Sequence, residues 1–331
     1  MKLYTFVLNG AEHVGIGISA NQMLDVALAA RLQDGENHPE FADMQSLLDA
    51  GDRALDFARQ LVAEPSAQAI VNMEEVTVIA PLPRPRKIRG GSMYDRHLKQ
   101  AAEGTARILS VGHPDPEAAY QATKQRLANI PGPGWYEQPA YYLMDATTVI
   151  GPDESIAWPT YSDWIDFELE IGAVLGRVVR DGTVEESSAS IMGYILVNDL
   201  SARDAQLKAL TSGMGATGKG KEFDRSICLG PCIVTVDELA EPMKIDFETK
   251  INGEKLFRGY PEEQPQWTFA EIIEFVSRAQ TLLPGEIVTS GCLPSCCSVE
   301  HARKPDRGDT IELEAGPLGV IRTHIIQATE K

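Results

Sequence analysis

Residues 164–176 constrain the fold of this chain more than any other segment. Apolar and acidic residues alternate in the first half of the segment, which is the pattern of a β-strand with two different faces. Asp166, Glu168 and Glu170 then share one face, and no Lys or Arg lies among residues 164–176. Like charges in a row repel one another, so three such carboxylates require either open water or a cation. A solvated strand face is the alternative that this pattern leaves open.

Two apolar runs indicate that these acids lie in the protein interior. The segment continues into Ala173–Leu175, which is apolar on both faces, as in a buried strand. A second apolar run, Ile191–Val197, ends in an Asn-Asp pair. Carboxylates at the ends of neighbouring buried strands form an oxygen-only site for a hard divalent cation. We therefore expect Glu168, Glu170 and Asp199 to bind Mg²⁺ or Mn²⁺, with Ca²⁺ as a further option.

Length and charge narrow the classes of protein that fit. A chain of 331 residues can bury a large core and suits one large domain with a smaller one. Its net charge of -18, from 48 acidic and 30 basic residues, argues against nucleic acid and anionic membranes as partners. Residues 1–10 are interrupted too early for a signal peptide, and no apolar run has the length of a membrane span. These features predict a cytoplasmic protein.

The cysteines all lie in the second half of the chain, at Cys228, Cys232, Cys292, Cys296 and Cys297. An odd number without a secretion signal indicates free thiols in a reducing compartment. Two Cys-x₃-Cys pairs raise the question of a zinc site. Structural zinc usually takes closer spacings, and the first pair lies in an apolar run typical of a buried strand. Zinc is therefore the less favoured interpretation of these cysteines.

A proline-rich crossing at Pro81–Pro85 marks the predicted domain boundary, because prolines at this density block both helix and ladder bonding. We expect a small α+β domain over 1–80 and a catalytic domain over 81–331. The first begins with a hairpin joined at an Asn-Gly turn, over residues 2–18. Helical patterns follow at residues 23–32, 41–49 and 53–62. In the second domain, residues 101–138 are predicted to form a lid insertion, helical and then loop-like.

Five motifs taken together resemble the fumarylacetoacetate hydrolase family. They are Asp166–Glu170, Val197–Gln206, Lys219–Asp224, Asn252–Glu254 and Thr281–Gly291. Each is weak alone, but their order is specific, and the resemblance covers nearly the whole chain. It implies an α+β fold with a mixed β-roll or sandwich catalytic domain, a small N-terminal domain and a homodimer.

The resemblance also implies roles for individual residues. It agrees with Glu168, Glu170 and Asp199 as metal ligands. It implies substrate contacts at Tyr94, Tyr142, Arg203, Gln206 and Cys292. It implies catalytic roles for His97, Lys221 and Gln100. His97 would activate water, Lys221 would lie near a developing enolate, and Gln100 stands three residues after His97, where many members of the family carry an acid.

The implied reaction is hydrolysis of a C–C bond in a β-diketo, acylpyruvate-like acid through a metal-bound enolate, in aromatic compound catabolism. Gln100 polarises an imidazole less than a carboxylate does, and Glu103 and Glu117 are alternative candidates for that position. Gln100 and Cys292 keep open an isomerase, a decarboxylase or a lyase acting on a 2-oxo acid. The glycine-rich stretch 213–220 lacks the context of a phosphate-binding loop, so we expect no nucleotide site.

Overall fold

The computed structural model describes residues 1–213, 215 and 217–327. In this part of the chain the strands form a 12-stranded sheet, a five-stranded sheet and a two-stranded ribbon. The strands are β1 (Lys2–Leu8), β2 (Ala11–Gly17), β3 (Gln22–Asp25), β4 (Ile70–Asn72), β5 (Thr77–Ile79), β6 (Lys87–Gly90), β7 (Tyr142–Met144), β8 (Val149–Ile150), β9 (Ser155–Ala157), β10 (Ile165–Asp166), β11 (Leu169–Leu175), β12 (Ile191–Asp199), β13 (Ser201–Ala202), β14 (Ile227–Thr235), β15 (Phe247–Ile251), β16 (Glu254–Gly259), β17 (Glu286–Thr289), β18 (Thr310–Ala315) and β19 (Val320–Ile326).

The α-helices of the described residues lie mostly in the first two thirds of the chain. They are α1 (Val26–Asp34), α2 (Met44–Ala50), α3 (Asp52–Ala63), α4 (Asp95–Ser110), α5 (Pro116–Arg126), α6 (Gly134–Glu137), α7 (Val184–Ser190), α8 (Arg203–Thr211) and α9 (Phe269–Ser277). The predicted α+β class is confirmed. No helix in the described ranges has both the length and the apolar character needed to cross a membrane. Met214 and Ala216 of the glycine-rich stretch 213–220 lie outside the described residues.

The centre of the large sheet is built from strands that are buried along their whole length. β11 lies between β12 and β17, and β12 also pairs with β14. All seven residues of β11 and all nine of β12 are buried. Strands buried on both faces are mainly apolar, and these two depart from that pattern at Glu170 of β11 and at Asn198 and Asp199 of β12. The antiparallel register pairs Leu169 with Asn198, so the acid-bearing ends of β11 and β12 lie side by side.

The strand predicted over residues 164–176 is interrupted after Asp166. β10 pairs with β13, whereas β11 begins at Leu169 and pairs with β12 and β17. The Asp166 carboxylate accepts hydrogen bonds from the backbone N–H groups of Ser298, at 3.0 Å, and Val299, at 3.3 Å. The expectation of one continuous strand face with three carboxylates is therefore wrong. The strand ends at Asp166, and the carboxylate of this residue binds the loop that contains Ser298 and Val299.

The first 80 residues extend the large sheet. The predicted hairpin is present as β1 and β2, and β1 also pairs with β14 through Lys2 with Val234 and Leu3 with Ile233. A buried hydrophobic cluster combines residues from both sides of the proline-rich crossing, among them Leu3 and Ile195. The domain boundary at residue 80 stays a prediction.

The segment 101–138 is mostly helical and lies next to the loop after β17. In α4, Gly104 packs directly on the backbone of Val299. A Cβ at Gly104 would lie 1.7 Å from the Val299 carbonyl oxygen, so only glycine permits this approach. Since α4 also carries His97, this contact holds His97 close to the short helical turn Val299–His301. The role of segment 101–138 as a lid stays a prediction.

Candidate active site

Three buried carboxylates meet at the ends of the central strands. Glu168 precedes β11, Glu170 is the second residue of β11, and Asp199 is the last residue of β12. One carboxylate oxygen of each lies within 4.8 Å of the other two, and none of the three residues is more than 5% exposed. The structure therefore brings together the three residues that the sequence predicts as metal ligands.

Two cations from α8 and from the loop before β14 contact these acids. Lys221 Nζ donates to Glu168 Oε2 at 2.6 Å and to Asp199 Oδ2 at 2.5 Å. Arg203 donates to Glu168 Oε1 at 2.7 Å and lies 2.7 Å from Asp166 Oδ2. Lys and Arg are absent from residues 164–176, but the fold brings both residue types to the acids of that segment.

The remaining charge fits a divalent cation. When all four are ionised, the four buried carboxylates of this network carry two more charges than its two buried cations, Lys221 and Arg203. Among the described residues, Oε2 of Glu170 and Oδ1 of Asp199 have no hydrogen-bond partner. Burial, followed by the charges of Asp199 and Glu168, raises the pKa of Glu170 well above its usual range. Buried carboxylate oxygens without partners are suitable ligands for Mg²⁺ or Mn²⁺, so the residues present fit the predicted ion.

His97 lies beside the carboxylates and pairs with an acid that the sequence analysis missed. Its Nε2 is 3.8 Å from Glu168 Oε1, and its Nδ1 is 3.2 Å from Glu300 Oε1. Burial alone lowers the pKa of His97, but the charge of Glu300 and hydrogen bonds with Cys297 and Glu300 raise it well above its usual range. A carboxylate at one ring nitrogen fixes the orientation of the imidazole and its tautomer.

The three residues that the sequence suggests as partners of His97 lie elsewhere. Gln100 donates to Ser295 Oγ at 3.4 Å. Glu103 and Glu117 accept hydrogen bonds from side chains of α5. The residue at His97 Nδ1 is therefore Glu300, and not Gln100 or either of the two acids near it in sequence.

A cavity of about 480 Å³ opens over the carboxylates. Its lining includes Tyr94, Tyr142, Gln206 and Cys292 together with His97, Glu168, Glu170 and Lys221. Arg203 lines an adjoining cavity of about 120 Å³, which His97 and Gln206 share. The predicted substrate contacts thus lie around one site.

The two predicted tyrosines differ in their contacts. The Tyr142 hydroxyl donates to the Asp199 carboxylate. Burial and then the charges of Asp199 and Glu170 raise the pKa of Tyr142 well above its usual value, so its hydroxyl stays a donor. The Tyr94 hydroxyl is buried and has no hydrogen-bond partner among the described residues. It is therefore available to a molecule bound in the cavity.

Comparison with known proteins identifies the family. The sequence profile described as Fumarylacetoacetate (FAA) hydrolase C-terminal matches residues 111–326, about two thirds of the chain. The protein belongs to the fumarylacetoacetate hydrolase family. The matched residues include the three carboxylates and Lys221, whereas His97 lies before them.

Named members of the fumarylacetoacetate hydrolase family are similar to this chain over most of its length. It is 28% identical to the mitochondrial oxaloacetate tautomerase FAHD2B of Bos taurus over 292 residues, which are 86% of this chain and 79% of that protein. It is also 28% identical to 2,4-didehydro-3-deoxy-L-rhamnonate hydrolase from Sphingomonas sp. (strain SKA58) over 228 residues, 67% of this chain and 74% of that protein. Its relatives thus include both a tautomerase and a hydrolase.

A solved structure shares the fold. Maleylpyruvate hydrolase from Sphingobium sp. SYK-6, in complex with manganese(II) ion and pyruvate, matches with a TM-score of 0.69 at 16% identity. The match covers 99% of this chain and 100% of that chain. This member of the fumarylacetoacetate hydrolase family therefore shares its fold with that enzyme.

Proposed function

We propose that the protein is a metal-dependent hydrolase that cleaves a C–C bond in a β-diketo, acylpyruvate-like acid. The position of His97 carries this proposal. Its Nδ1 is held by Glu300, while its Nε2 faces the carboxylate cluster. An imidazole oriented by a carboxylate is the arrangement of a general base that activates water.

Glu168, Glu170 and Asp199 would hold Mg²⁺ or Mn²⁺ in this enzyme. When bound, such an ion polarises a carbonyl oxygen and stabilises negative charge that develops on it. Lys221, which bridges two of the three acids, places a second positive charge at the same point. The site is thus suited to a substrate that becomes an enolate during the reaction.

The side chains of α8 support recognition of an acid. Arg203 and Gln206 lie one helical turn apart, and Arg203 Nη1 is 3.0 Å from Gln206 Oε1. Both border the space in front of His97, so they are positioned to bind the substrate carboxylate. The other walls of the adjoining cavity are mainly apolar, with Leu127, Ile130 and Leu210 among them. This combination favours a short apolar acyl group beside a charged end.

The proposed reaction consumes one water molecule, which supplies a hydroxyl group to one product and a proton to the other. The base is the neutral form of His97, and because the pKa of His97 is raised, this form gains population as the pH rises. Neutral His97 accepts a proton from water at Nε2, and Glu300 stabilises the resulting imidazolium at Nδ1. The water oxygen bonds to the distal carbonyl carbon, and the C–C bond next to it breaks. The electron pair of that bond passes to the pyruvate half as an enolate near Lys221, and His97 returns its proton to the enolate carbon. The products are pyruvate and a carboxylic acid.

A tautomerase or isomerase of a 2-oxo acid is the second candidate. The 28% identity to oxaloacetate tautomerase FAHD2B over 86% of the chain favours it. In that reaction His97 would move a proton between carbon and oxygen, and no water would be added. The same residues would take part in both reactions, so the two candidate functions must be distinguished by their products.

The test follows the ultraviolet enol band of acylpyruvates and of oxaloacetate, with Mg²⁺ and with a chelator. We expect the band of an acylpyruvate to decay only with metal, with one pyruvate released per molecule consumed. Glu300→Gln should lower kcat by about 10- to 100-fold with little change in KM, since it removes the charge that holds His97. Glu314→Gln, an exposed carboxylate on β18, is the matched control.

The products decide between the two candidates. A change in the enol band of oxaloacetate without pyruvate release from any acylpyruvate would support the tautomerase and contradict the hydrolase. No metal-dependent change with either class of substrate would contradict both.

A further inference from the structure

A second cluster of ligand-type side chains lies on the Nδ1 side of His97. A ring nitrogen of His97, the sulfur atoms of Cys292 and Cys297, and a carboxylate oxygen of Glu300 all lie within 4.8 Å of one another. His97 and both cysteines are buried, and Glu300 is partly buried. The hydrolysis proposed above uses His97 and Glu300, but it gives neither thiol a role in a chemical step, although Cys292 lines the cavity.

The separations are close to those of a tetrahedral metal site. His97 Nδ1 is 3.2 Å from Glu300 Oε1 and 4.0 Å from Cys297 Sγ. Cys297 Sγ is 3.1 Å from Glu300 Oε2. Zinc bonds of about 2.0–2.3 Å at tetrahedral angles place nitrogen, oxygen and sulfur donors about 3.3–3.8 Å apart. The three distances among His97, Cys297 and Glu300 lie on either side of this range, and Cys292 Sγ lies within 4.8 Å of the other donors. Shifts of these side chains would therefore complete the geometry.

The donors are supported by the backbone around them. The Cys297 backbone N–H donates to Glu300 Oε2 at 3.1 Å, which fixes the carboxylate. The close packing of Gly104 on Val299 holds the helix with His97 against the turn with Glu300. Supports of this kind orient the ligands of a metal before it binds.

We propose that His97, Cys292, Cys297 and Glu300 form a binding site for a soft divalent cation of the zinc type, and that its occupation stops His97 from acting as a base. Two sulfur donors and an imidazole select Zn²⁺ over Mg²⁺ and Mn²⁺, whereas the three carboxylates of the neighbouring cluster have the opposite preference. The second half of the proposal rests on the hydrolase function proposed above.

Ligation changes where the imidazole proton lies. The cation takes the lone pair of Nδ1, and both thiols release their protons to the solvent. The one remaining imidazole proton is then on Nε2, the nitrogen that lies 3.8 Å from Glu168 Oε1. A protonated Nε2 in a neutral ring has no lone pair with which to accept a proton from water. Zinc at this site therefore acts as an inhibitor while the carboxylate cluster keeps its own ion.

Cobalt(II) tests the site directly, because a thiolate ligand gives Co²⁺ a charge-transfer absorption band. Metal-stripped protein is titrated with Co²⁺ in excess Mg²⁺, which occupies the carboxylate cluster. We expect one Co²⁺ per chain with a thiolate band. The band should be lost in Cys292→Ser and Cys297→Ser. It should persist in Cys296→Ser, which changes a buried cysteine of the same loop outside the cluster.

Zinc inhibition and a carboxylate variant separate this proposal from the proposed function. Zn²⁺ at one equivalent should lower turnover of the wild type at least tenfold in saturating Mg²⁺. Glu170→Gln should lose turnover but keep the thiolate band.

The proposed site is wrong if the wild type shows no thiolate band, or if the band persists in both Cys292→Ser and Cys297→Ser. If zinc binds through the thiolates and turnover is unchanged, the proposal that the metal stops His97 from acting as a base is wrong. A thiolate band in a protein that hydrolyses no acylpyruvate refutes the hydrolase but keeps the site.

Discussion

At the scale of single residues, the three acids of the cluster have different surroundings. Burial alone would raise the pKa of Glu168, but the charges of Lys221 and Arg203 outweigh it and lower this pKa below its usual range. Glu170 has no such cation within hydrogen-bond distance among the described residues, and its pKa is raised. The surroundings of Glu168 thus favour its charged form, whereas those of Glu170 favour its neutral form until a cation binds.

Glu170→Gln is therefore the most informative change within the cluster. It should weaken Mn²⁺ binding by more than about tenfold and abolish turnover. The metal-free variant should unfold at the same or a higher temperature than metal-free wild type, because a neutral amide is less costly to bury between like charges. Titration calorimetry and thermal unfolding of the stripped proteins measure both effects. Unchanged Mn²⁺ affinity with retained turnover would remove Glu170 from the ligand set.

The sequence predicts the three carboxylates of the cluster but not the residue that pairs with His97, because the first depend on strand periodicity and the second depends on a tertiary contact. The acids of β11 and β12 stand at the ends of apolar runs, and the period of a strand relates such positions directly. Glu300 follows His97 by 203 residues, so their contact depends on how α4 packs on a distant turn. The three-residue spacing that the family resemblance suggested leads to Gln100 instead.

At the scale of elements, α4 and α8 determine the shape of the site. α4 presents His97, and α8 presents Arg203 and Gln206 across the smaller cavity. Leu210, near the end of α8, forms part of the apolar wall of that cavity. The size of this wall residue should therefore set the length of acyl group that the site accepts.

Leu210→Phe should narrow the cavity and raise KM for acylpyruvates with longer acyl groups by about tenfold or more, since one or two methylene groups account for a change of this size. The KM for acetylpyruvate should stay nearly the same. Leu109→Phe, at an exposed position on α4, is the matched control. Steady-state kinetics across a series of acyl lengths provide the measurement, and an equal loss for all lengths would argue against this use of the cavity.

Some secondary-structure elements could be predicted from the local sequence pattern, whereas others depend on tertiary contacts. The N-terminal hairpin was predictable because an Asn-Gly turn and strand alternation agree with each other. The helix predicted over residues 23–32 begins only at Val26, because Gln22–Asp25 pair with β2 and β4 as a strand. The interruption after Asp166 was not predictable, since it depends on a loop more than 130 residues away.

At the scale of the whole molecule, the first strand and the ligand-bearing strands belong to one sheet. β1 pairs with β14, β14 with β12, and β12 with β11. Leu3 of β1 is fully buried in the same hydrophobic cluster as Ile195 of β12 and Ile287 of β17. The packing of residues near the N-terminus is therefore linked to the strands that position the acids.

Leu3→Ala should destabilise the protein by about 2–5 kcal/mol, the usual cost of such a cavity. We expect it to shift a single unfolding transition that includes both the N-terminal hairpin and the central strands. Thermal unfolding, followed in parallel by circular dichroism and by tryptophan fluorescence, measures this shift. Leu32→Ala, at an exposed position, is the control. Two separate transitions, of which only the first responds, would mean that the two parts unfold independently.

The ammonium group of Lys221 gives the metal centre an internal counter-ion, since it already bridges Glu168 and Asp199. Part of the repulsion among the acids is cancelled by the chain itself, so folding need not wait for a divalent ion. If the proposed site is correct, newly made protein would complete its core first and bind its divalent ion afterwards. Loss of that ion would then leave a folded, inactive protein that can bind the ion again.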